Sequence, residues 1–348
     1  MSNKKYDTLV LIGRFQPVHS AHVEIIRRAV ALTRELIIIV GSANQPRTYK
    51  NPWTSKEREM MLQNVLDGLH DAGQLGTTRV HVEHNIDTIY NDTAWMQRVQ
   101  GIVSKYRILG GTTGIIGHKK DESSFYLDMF PQWELEELPL IQPLNATNVR
   151  ELYFRRDVNM NFIRGVVPSS TFRLLDGWLV SPDREQVIRE REFVEKYKQQ
   201  YSSLPYPPIF VTADTVVLCA GHVLMIKRRA EPGKGLWALP GGFVNAETDK
   251  SVRDAAIREL REETGIKVPV PVLVGSIVRS QTFDAINRSA RGRTITHAFL
   301  IALGSNTELP KVKGNDDAEK AQWIPLADVK SDQCFEDHFE IISNMVGA

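Results

Sequence analysis

The sequence predicts two α/β units in tandem, a doubly wound parallel sheet followed by a smaller α+β sandwich built around one helix. Three observations predict this. Between residues 8 and 110, short apolar runs alternate with amphipathic stretches, which is the rhythm of βαβ units. That rhythm stops at a proline-rich break, SSLPYPP at 202–208. Beyond the break, strand patterns with a tight-turn signal surround a single acidic helix pattern near 258–264. A length of 348 residues fits two domains.

The first strand is expected at 9–12 and is followed by a helix at 23–32. Residues 35–41 (ELIIIVG) form a near-continuous apolar run, the mark of a strand buried on both faces. A helix at 55–69 follows, with Thr54 or Ser55 as its N-cap. A strand at 79–83, a helix at 93–104 and a short strand at 107–110 complete the alternation. Ligands in such sheets bind at the carboxyl ends of the strands, where Gly13, Gly41 and Gly110 are expected. A helix at 172–179, capped by Ser169, Ser170 and Thr171, closes the first unit. Residues 183–201 read as a charged surface helix with a narrow apolar stripe. Proline then blocks its continuation, because it lacks a backbone donor and fixes φ. The expected division is 1–180, a linker at 181–206 with the boundary near 205, and 207–348. The second unit opens with strands at 209–213, 215–220 and 222–228, the last two turning at Ala220-Gly221. Further strands are expected at 272–278 and 296–303, with a C-terminal helix at 336–345.

Composition is that of an ordinary globular protein: 42% hydrophobic, 24% charged, net charge +1. There is no basic excess, so nucleic acid is not expected as a partner. Cys219 and Cys334 are too few for a disulfide framework or a zinc site and imply free thiols in a reducing compartment. No apolar stretch approaches the ~20 residues that span a bilayer. MSNKKYD lacks the apolar core of a signal peptide, so a cytoplasmic location without a membrane partner is expected.

Residues 13–22, GRFQPVHSAH, lie between the first strand and the first helix. A strand, a glycine turn and a helix start aim backbone N–H groups at phosphate. His19 and His22 stand three residues apart at that helix start, with Arg14 just before them. One turn brings all three onto one anion, which suits charge developing on a transferred phosphoryl group. This stretch resembles the GRFxPxHxGH signature of nucleotidyltransferases, in the subgroup that makes NAD from nicotinamide mononucleotide (NMN) and ATP. Ala21 replaces the signature's second glycine and adds a Cβ beside the phosphate path. Residues 51–58, NPWTSKER, resemble the NPWTxxER segment of the same family. Trp95 matches a position where relatives stack an aromatic ring on nicotinamide, though a core tryptophan is the alternative, as it is for Trp53. Residues 117–126, GHKKDESSFY, resemble the GHxKDxSSxY loop of the bacterial two-domain branch. Lys119 and Lys120 in that loop either meet ATP phosphates or are simply solvated.

A second phosphate motif, Ser-(Ser/Ala)-Thr-x-x-Arg, has two candidates. NATNVR at 145–150 keeps Thr147 and Arg150 three apart, on one helical face, and Asn145 can still cap the helix. SSTFR at 169–173 places Arg173 only two beyond Thr171, on a different face, so spacing selects Thr147 and Arg150. The resemblance implies nucleotide contacts at Gly13, Phe15, Trp95, Gly110 and Thr147. It implies catalytic roles for Arg14, His19, His22 and Arg150. Transfer of a cytidylyl or pantetheine-linked group is the rival reading. Phe15-Gln16 and Trp95 favour the mononucleotide by resemblance.

In the second half, GGFVNAE at 241–247 and RELREETGI at 258–266 resemble the Nudix box, Gly-x5-Glu-x7-Arg-Glu-U-x-Glu-Glu-x-Gly-U. Glu259, Glu262 and Glu263 crowd one helical face within a turn, an oxygen-only set that suits Mg2+ or Mn2+. Arg258 is placed to orient Glu262. Ten residues separate Glu247 from Arg258 where the box has seven, so Glu247 is its least secure member. In two-domain relatives this half resembles an ADP-ribose pyrophosphatase. Arg279, Arg288, Arg291 and Arg293 then either bind the diphosphate or terminal ribose or form an exposed basic loop. Asp316, Asp317 and Glu319 are unranked candidates for a general base.

The expected function is therefore bifunctional, with ATP, NMN, NAD and ADP-ribose as small-molecule partners and a homo-oligomer left open. The alternative makes the Nudix half an ADP-ribose sensor, or a hydrolase of another nucleoside diphosphate derivative. Sensors of this kind carry an added winged-helix segment. Here only 25 residues follow Trp323 and the glutamates are intact, which favours an enzyme.

Overall fold

The computed structural model describes residues 4–119, 122–139, 145–304, 308–314 and 318–347. The chain forms two compact units, residues 1–188 and 189–348. Among the described residues no helix is long and apolar enough to cross a membrane.

In the first unit, β1 (Tyr6–Gly13), β2 (Thr33–Ala43), β3 (Arg79–Ile86), β4 (Thr113–Gly117) and β5 (Glu134–Glu137) form one sheet. Its order is β3-β2-β1-β4-β5 and every pairing is parallel. The chain steps outward from β1 to β3, then returns to the other side of β1 at β4. The switch point thus lies between β1 and β4, and the crevice beyond their carboxyl ends is the expected ligand site. The apolar runs divide by strand alternation. Leu9, Leu11, Leu36, Ile38 and Val40 pack on one face, and Val10, Ile12, Ile37 and Ile39 on the other. The first face is covered by α1 (Ser20–Leu32) and α2 (Ser55–Asp71), through residues such as Ile26 and Leu62. The second is covered by α3 (Asp92–Tyr106), through Val99, Ile102 and Val103. Three short helices follow, α4 (Ala146–Tyr153), α5 (Met160–Val166) and α6 (Ser169–Trp178), and then α7 (Pro182–Gln199). The division between the units falls within α7.

Some sequence expectations need correction here. Residues 107–110 are not a strand. They form a turn in which Leu109 is 84% exposed and Gly110 has a φ of 74°. The strand is β4, whose two glycines hide its pattern; a Cβ on Gly114 would lie 2.8 Å from the Tyr6 ring, so this strand packs closely. Helix α6 begins at Ser169 with Pro168 as its N-cap, and Thr171 is buried inside it rather than capping.

In the second unit, β6 (Phe210–Cys219) is one continuous strand that joins β7 (His222–Arg228) through a turn with positive φ at Ala220 and Gly221. Short strands β8 (Trp237–Ala238) and β9 (Gly241–Phe243) pair with β7 and β6. Then come α8 (Val252–Thr264), α9 (Val270–Gly275), β10 (Ile277–Phe283), β11 (Thr294–Ala302), β12 (Ala318–Pro325) and α10 (His338–Val346). The sheet order is β10-β11-β6-β7-β12, with only β6 and β11 parallel. Ala255, Ala256, Ile257 and Leu260 form the buried stripe of α8, leaving its polar stripe for chemistry. The expected strand at 272–278 is mostly α9. Residues 270–275 (VPVLVG) are an apolar run without a decisive period, and Pro269 opens the helix as its N-cap at φ −60°.

Candidate active sites

The first site is built where β1 ends. Phe15 has a φ of 52°, and its ring folds back over Gly13, where a Cβ would sit 2.9 Å from the ring's Cζ. Gly13 is therefore required by close approach. His19 is the N-cap of α1 and His22 its third residue. The His19 amide donates to His22 Nδ1 at 3.2 Å, and the two imidazoles stack with centroids 3.8 Å apart. The Phe15 ring meets His22 at a tilt, with centroids 4.8 Å apart. Both histidines and the glycine turn thus occupy the switch point, as the spacing predicted.

Arg150, on α4, is 5% exposed. Its Nη1 donates to the Gln16 carbonyl at 2.8 Å and its Nη2 to Thr147 Oγ1 at 3.0 Å, so the three-residue spacing brings Thr147 and Arg150 together. Its Nε has no hydrogen-bond partner. Burial, and then the charge of Arg14, push the Arg150 guanidinium down to about 10. Arg14 is solvent-exposed, but the protein around it holds its pKa below the ordinary arginine value while Asp87 opposes that change. Arg58, on α2, is 1% exposed, and burial brings it to about 10 as well. Among the described residues, none of these three guanidiniums has a salt bridge to a carboxylate. Arg14 lies close enough to Arg58 and to Arg150 to lower both, Asp87 offsets part of this at Arg14 and Arg58, and a polyanion would relieve the rest. Asn145 caps α4 as expected, accepting from the Asn148 amide at 2.9 Å.

Trp95 lies in the first turn of α3, half-buried against Phe130 (6.0 Å) and Tyr126 (6.4 Å). Its turn follows the carboxyl end of β3, on the same edge as Gly13. Trp53 is a core residue, 1% exposed among Tyr153, Phe154 and Trp178. Gly110 is a correction. It precedes β4, at the amino edge of the sheet, two residues before Thr112, which bonds Asp7 near the start of β1, so it is not part of this site. Gly117 stands at the carboxyl end of β4 instead. Lys119 is held by Asp128 at 2.7 Å. Lys120 lies outside the described residues. Arg58 had no role assigned from sequence, and Gln16 only its part in the Phe15-Gln16 resemblance; the signal for both was membership of the two motifs.

The second site stands on α8. Ser251 caps the helix, and Gly265, at φ 53°, ends it. Arg258 is the hub. Its Nε and Nη2 donate to Asp249 at 2.9 and 2.8 Å, and its Nη1 donates to Glu259 and Glu262 at 2.8 and 2.9 Å. These bonds hold the Arg258 guanidinium well above its ordinary pKa. Glu247 does not take part. It is exposed in the loop before α8, and Asp249, missed in the sequence, anchors Arg258 in its place. The longer loop explains the miss, because it moves the anchoring carboxylate off the box spacing.

Glu263 is 6% exposed and accepts from the Gly241 amide at 2.9 Å. Burial raises its carboxyl to about 8, with Glu259 adding to the rise. Glu259 is also raised, mainly by burial. Asp214, on β6, is raised to about 6 by burial and accepts from Thr296 Oγ1 at 2.5 Å. The double glycine explains how β9 reaches these groups. A Cβ on Gly242 would lie 2.5 Å from Glu259 Oε1, and one on Gly241 would strike the Ala213 carbonyl and the Asp214 carboxylate. Buried acids that resist ionising together fit a hard cation, which would let them ionise. As the side chains stand, no three ligating groups among the described residues converge on one point. Arg258 draws Glu259 and Glu262 towards itself, and the Gly241 amide holds Glu263.

Of the basic residues, Arg279 is exposed on β10 and donates to the Asn344 carbonyl at 3.2 Å and to Gln281 at 2.6 Å. Arg288 forms a buried two-bond ion pair with Asp337, both at 2.8 Å, so it is structural. Arg293 pairs with Asp284 at 3.8 Å. Arg291 lies over the Phe243 ring at 5.0 Å. Glu319 is exposed on β12, and Asp316 and Asp317 lie outside the described residues.

A cytidylyltransferase-like family model matches residues 10–165, and a NUDIX domain model matches residues 210–345. The chain is 36% identical over 200 residues to a nicotinamide/nicotinic acid mononucleotide adenylyltransferase of Acinetobacter baylyi, a match covering 57% of this chain and 97% of that protein. It is 30% identical over 142 residues to an ADP-ribose pyrophosphatase of Methanocaldococcus jannaschii, covering 41% of this chain and 73% of that protein. The crystal structure of a bifunctional NMN adenylyltransferase/ADP ribose pyrophosphatase from Francisella tularensis aligns with a TM-score of 0.91 and 32% identity, covering 98% of this chain and 99% of that one. The structure of the same Francisella enzyme type complexed with AMP and a manganese ion aligns with a TM-score of 0.87 and 30% identity, covering 98% of this chain and 99% of that one. With both domain models matched in this order on one chain, the protein belongs to the bifunctional NMN adenylyltransferase/ADP-ribose pyrophosphatase family.

Proposed function

We propose that the first unit transfers AMP from ATP to NMN, and that the second hydrolyses ADP-ribose to AMP and ribose 5-phosphate. The observation that carries the reading is the pair of guanidiniums, Arg14 and Arg150, gathered at the strand end that also carries the His19–His22 stack, each with its pKa held down by burial. A triphosphate is the ligand whose charge such a site needs.

In the first unit a phosphate oxygen of NMN attacks the ATP α-phosphorus. The bond to the β-phosphate breaks, and pyrophosphate leaves. Arg14 and Arg150 neutralise charge on the leaving pyrophosphate, and His19 and His22 donate hydrogen bonds to oxygens whose charge grows in the transition state. Gly13, Phe15 and Thr147 shape the nucleotide path, and Trp95 offers its ring to nicotinamide. No covalent intermediate is required.

In the second unit Glu259, Glu262 and Glu263 would hold Mg2+, or the Mn2+ found with AMP in the Francisella relative, which would polarise the diphosphate and its attacking water. Arg258 orients Glu259 and Glu262 for that task. Cys219 and Cys334 are buried and form no disulfide, which supports a cytoplasmic setting.

The test is a phosphate-resolved product assay with Mg2+, one reaction with ATP and NMN and one with ADP-ribose. NAD and pyrophosphate in the first, and AMP in the second, are expected. Failure to form NAD refutes the reading of the first unit, and failure to release AMP refutes that of the second.

A further inference from the structure

The segment at 51–58 remains without a role once the phosphate site is described, although it lies against that site. Its last residue, Arg58, is a fully buried cation whose partners are backbone oxygens. Nη1 donates to the Arg14 carbonyl at 2.7 Å and to the Gly41 carbonyl at 2.6 Å. Nη2 donates to the Ser42 carbonyl at 3.0 Å, and Nε to the Thr54 carbonyl at 3.3 Å.

The Arg14 oxygen belongs to the turn that ends β1, and those of Gly41 and Ser42 to an irregular turn of backbone within the last residues of β2, where its register with β3 shifts between Val40 and Ala43. Phe15 has a φ of 52° and Ser42 a φ of 49°, so each turn places a residue with a side chain in the left-handed region. Such conformations persist only where the surroundings over-determine them. The two carbonyls on Nη1 are those of the peptides immediately preceding Phe15 and Ser42. One planar guanidinium therefore fixes both turns relative to each other. The rest of the segment holds the first turn from its other side. The Trp53 amide donates to Gln16 Oε1 at 3.1 Å, and Gln16 Nε2 donates to the Trp53 carbonyl at 2.8 Å. Arg14, Phe15 and Gln16 are thus held on both flanks, and Arg14 and His19 emerge from this fixed turn.

We propose that Arg58 is a positioning residue for adenylyl transfer, setting Arg14 and the His19–His22 pair against the triphosphate by tying the β1 and β2 turns together. It touches no reacting atom and acts through Arg14. The inference rests on the adenylyl-transfer reading of the first unit.

The decisive variant is Arg58→Lys. Lysine keeps the charge, but its ammonium cannot place donors in the guanidinium's fixed fork. Misplacing a reacting arrangement by an ångström costs ~100-fold in rate. NAD formation should show kcat down by about that factor, with KM for ATP changed far less because the cation is retained. ADP-ribose hydrolysis, measured on the same preparation, should be unchanged and reports that the chain is folded. A second variant, Arg58→Ala, should regain at least ~10-fold in kcat on adding methylguanidinium, which refills the fork. A kcat for Arg58→Lys within twofold of the parent overturns the inference. So does a loss that merely follows the fraction of unfolded first unit in thermal melts. If the unaltered chain itself makes no NAD, the functional reading fails, which is a different result from an unaltered Arg58→Lys rate.

Discussion

Replacing Gly242 by alanine separates folding from chemistry in the second unit. The new Cβ would lie 2.5 Å from Glu259 Oε1, 2.6 Å from its Cδ and 2.9 Å from Oε2. Ordinary contact between such atoms begins near ~3.5 Å, so the carboxylate must retreat by about 1 Å. The obstruction is the far end of a flexible side chain, so the fold absorbs it with a strained rotamer, about 0.5–1.5 kcal/mol. The chemistry cannot absorb it so easily. A displacement of about 1 Å at a carboxylate proposed to hold the metal is expected to lower hydrolysis about 100-fold, roughly 2.7 kcal/mol on the barrier. The assay is AMP release from ADP-ribose under saturating Mg2+, with NAD formation on the same chain as the folding control. Gly241→Ala is the contrasting variant. Its Cβ strikes the Ala213 carbonyl oxygen and lies 2.8 Å from the Asp214 Cα, and these are backbone atoms that cannot step aside. That variant should destabilise the second unit, lowering its melting temperature along with its activity. Hydrolysis by Gly242→Ala within twofold of the parent would refute the assignment of Glu259 to the reacting centre. So would a melting temperature that falls as far as that of Gly241→Ala.

His19→Ala should reduce NAD formation by about 100-fold or more and leave hydrolysis intact, because the imidazole stack belongs to the first site alone. Loss of both activities would mean that the sites are not independent. Glu262→Gln should do the reverse, and an undiminished rate of AMP release would contradict the metal assignment. Stability of the second unit should also depend on pH. Burial lifts the Asp214 carboxyl from its ordinary 3.8 to about 6. Below 3.8 both folded and unfolded chains hold the proton, so nothing is lost. Between 3.8 and 6 the unfolded chain ionises while the fold keeps its proton, so the Asp214 contribution falls as pH rises and levels off above 6, while that of Glu263, raised from 4.5 to about 8, goes on falling to about 8. The Asp214 loss is at most ~3 kcal/mol, since each pH unit across its window removes ~1.36 kcal/mol. Asp214→Asn keeps an oxygen for the Thr296 hydroxyl and should remove its share of the slope. Melts of both proteins from pH 4 to 7 that run parallel would refute it.

Physical chemistry explains which elements could be read from the residues. Residues 35–41 predict a central strand because both faces are buried, and burial on both faces writes an unbroken apolar run. The same rule misled at 107–110. Arg107-Ile-Leu-Gly has two apolar residues, yet Leu109 points into solvent, and the real strand, Thr113–Gly117, is masked by its glycines. β5 (Glu134–Glu137) has one apolar residue and is held at the sheet's edge by its pairing with β4, so its strand character resides in hydrogen bonds and not in composition. At 270–275 the residues permit either structure, and the packing of Leu273 into the core under α8 decides for a helix.

The sites divide along a different line. Three side-chain pairs were legible from spacing, Thr147 with Arg150, Arg258 with Glu262 and His19 with His22, whereas Arg258 with Asp249 was not, because the longer loop moves Asp249 off the box spacing. Partners on the backbone were not. Arg58 holds the carbonyls of residues 14, 41, 42 and 54, and Glu263 accepts from the amide of Gly241. Every residue carries a carbonyl, and every residue but proline an amide, so these partners leave no mark on the identity of the positions they occupy. What does leave a mark is the space they need. Gly13 yields to the Phe15 ring, and Gly242 yields to the Glu259 carboxylate. The glycines beside each motif are therefore evidence about the chemistry as direct as the histidines and glutamates themselves, because each records where a functional group must come within a methyl's width of the chain.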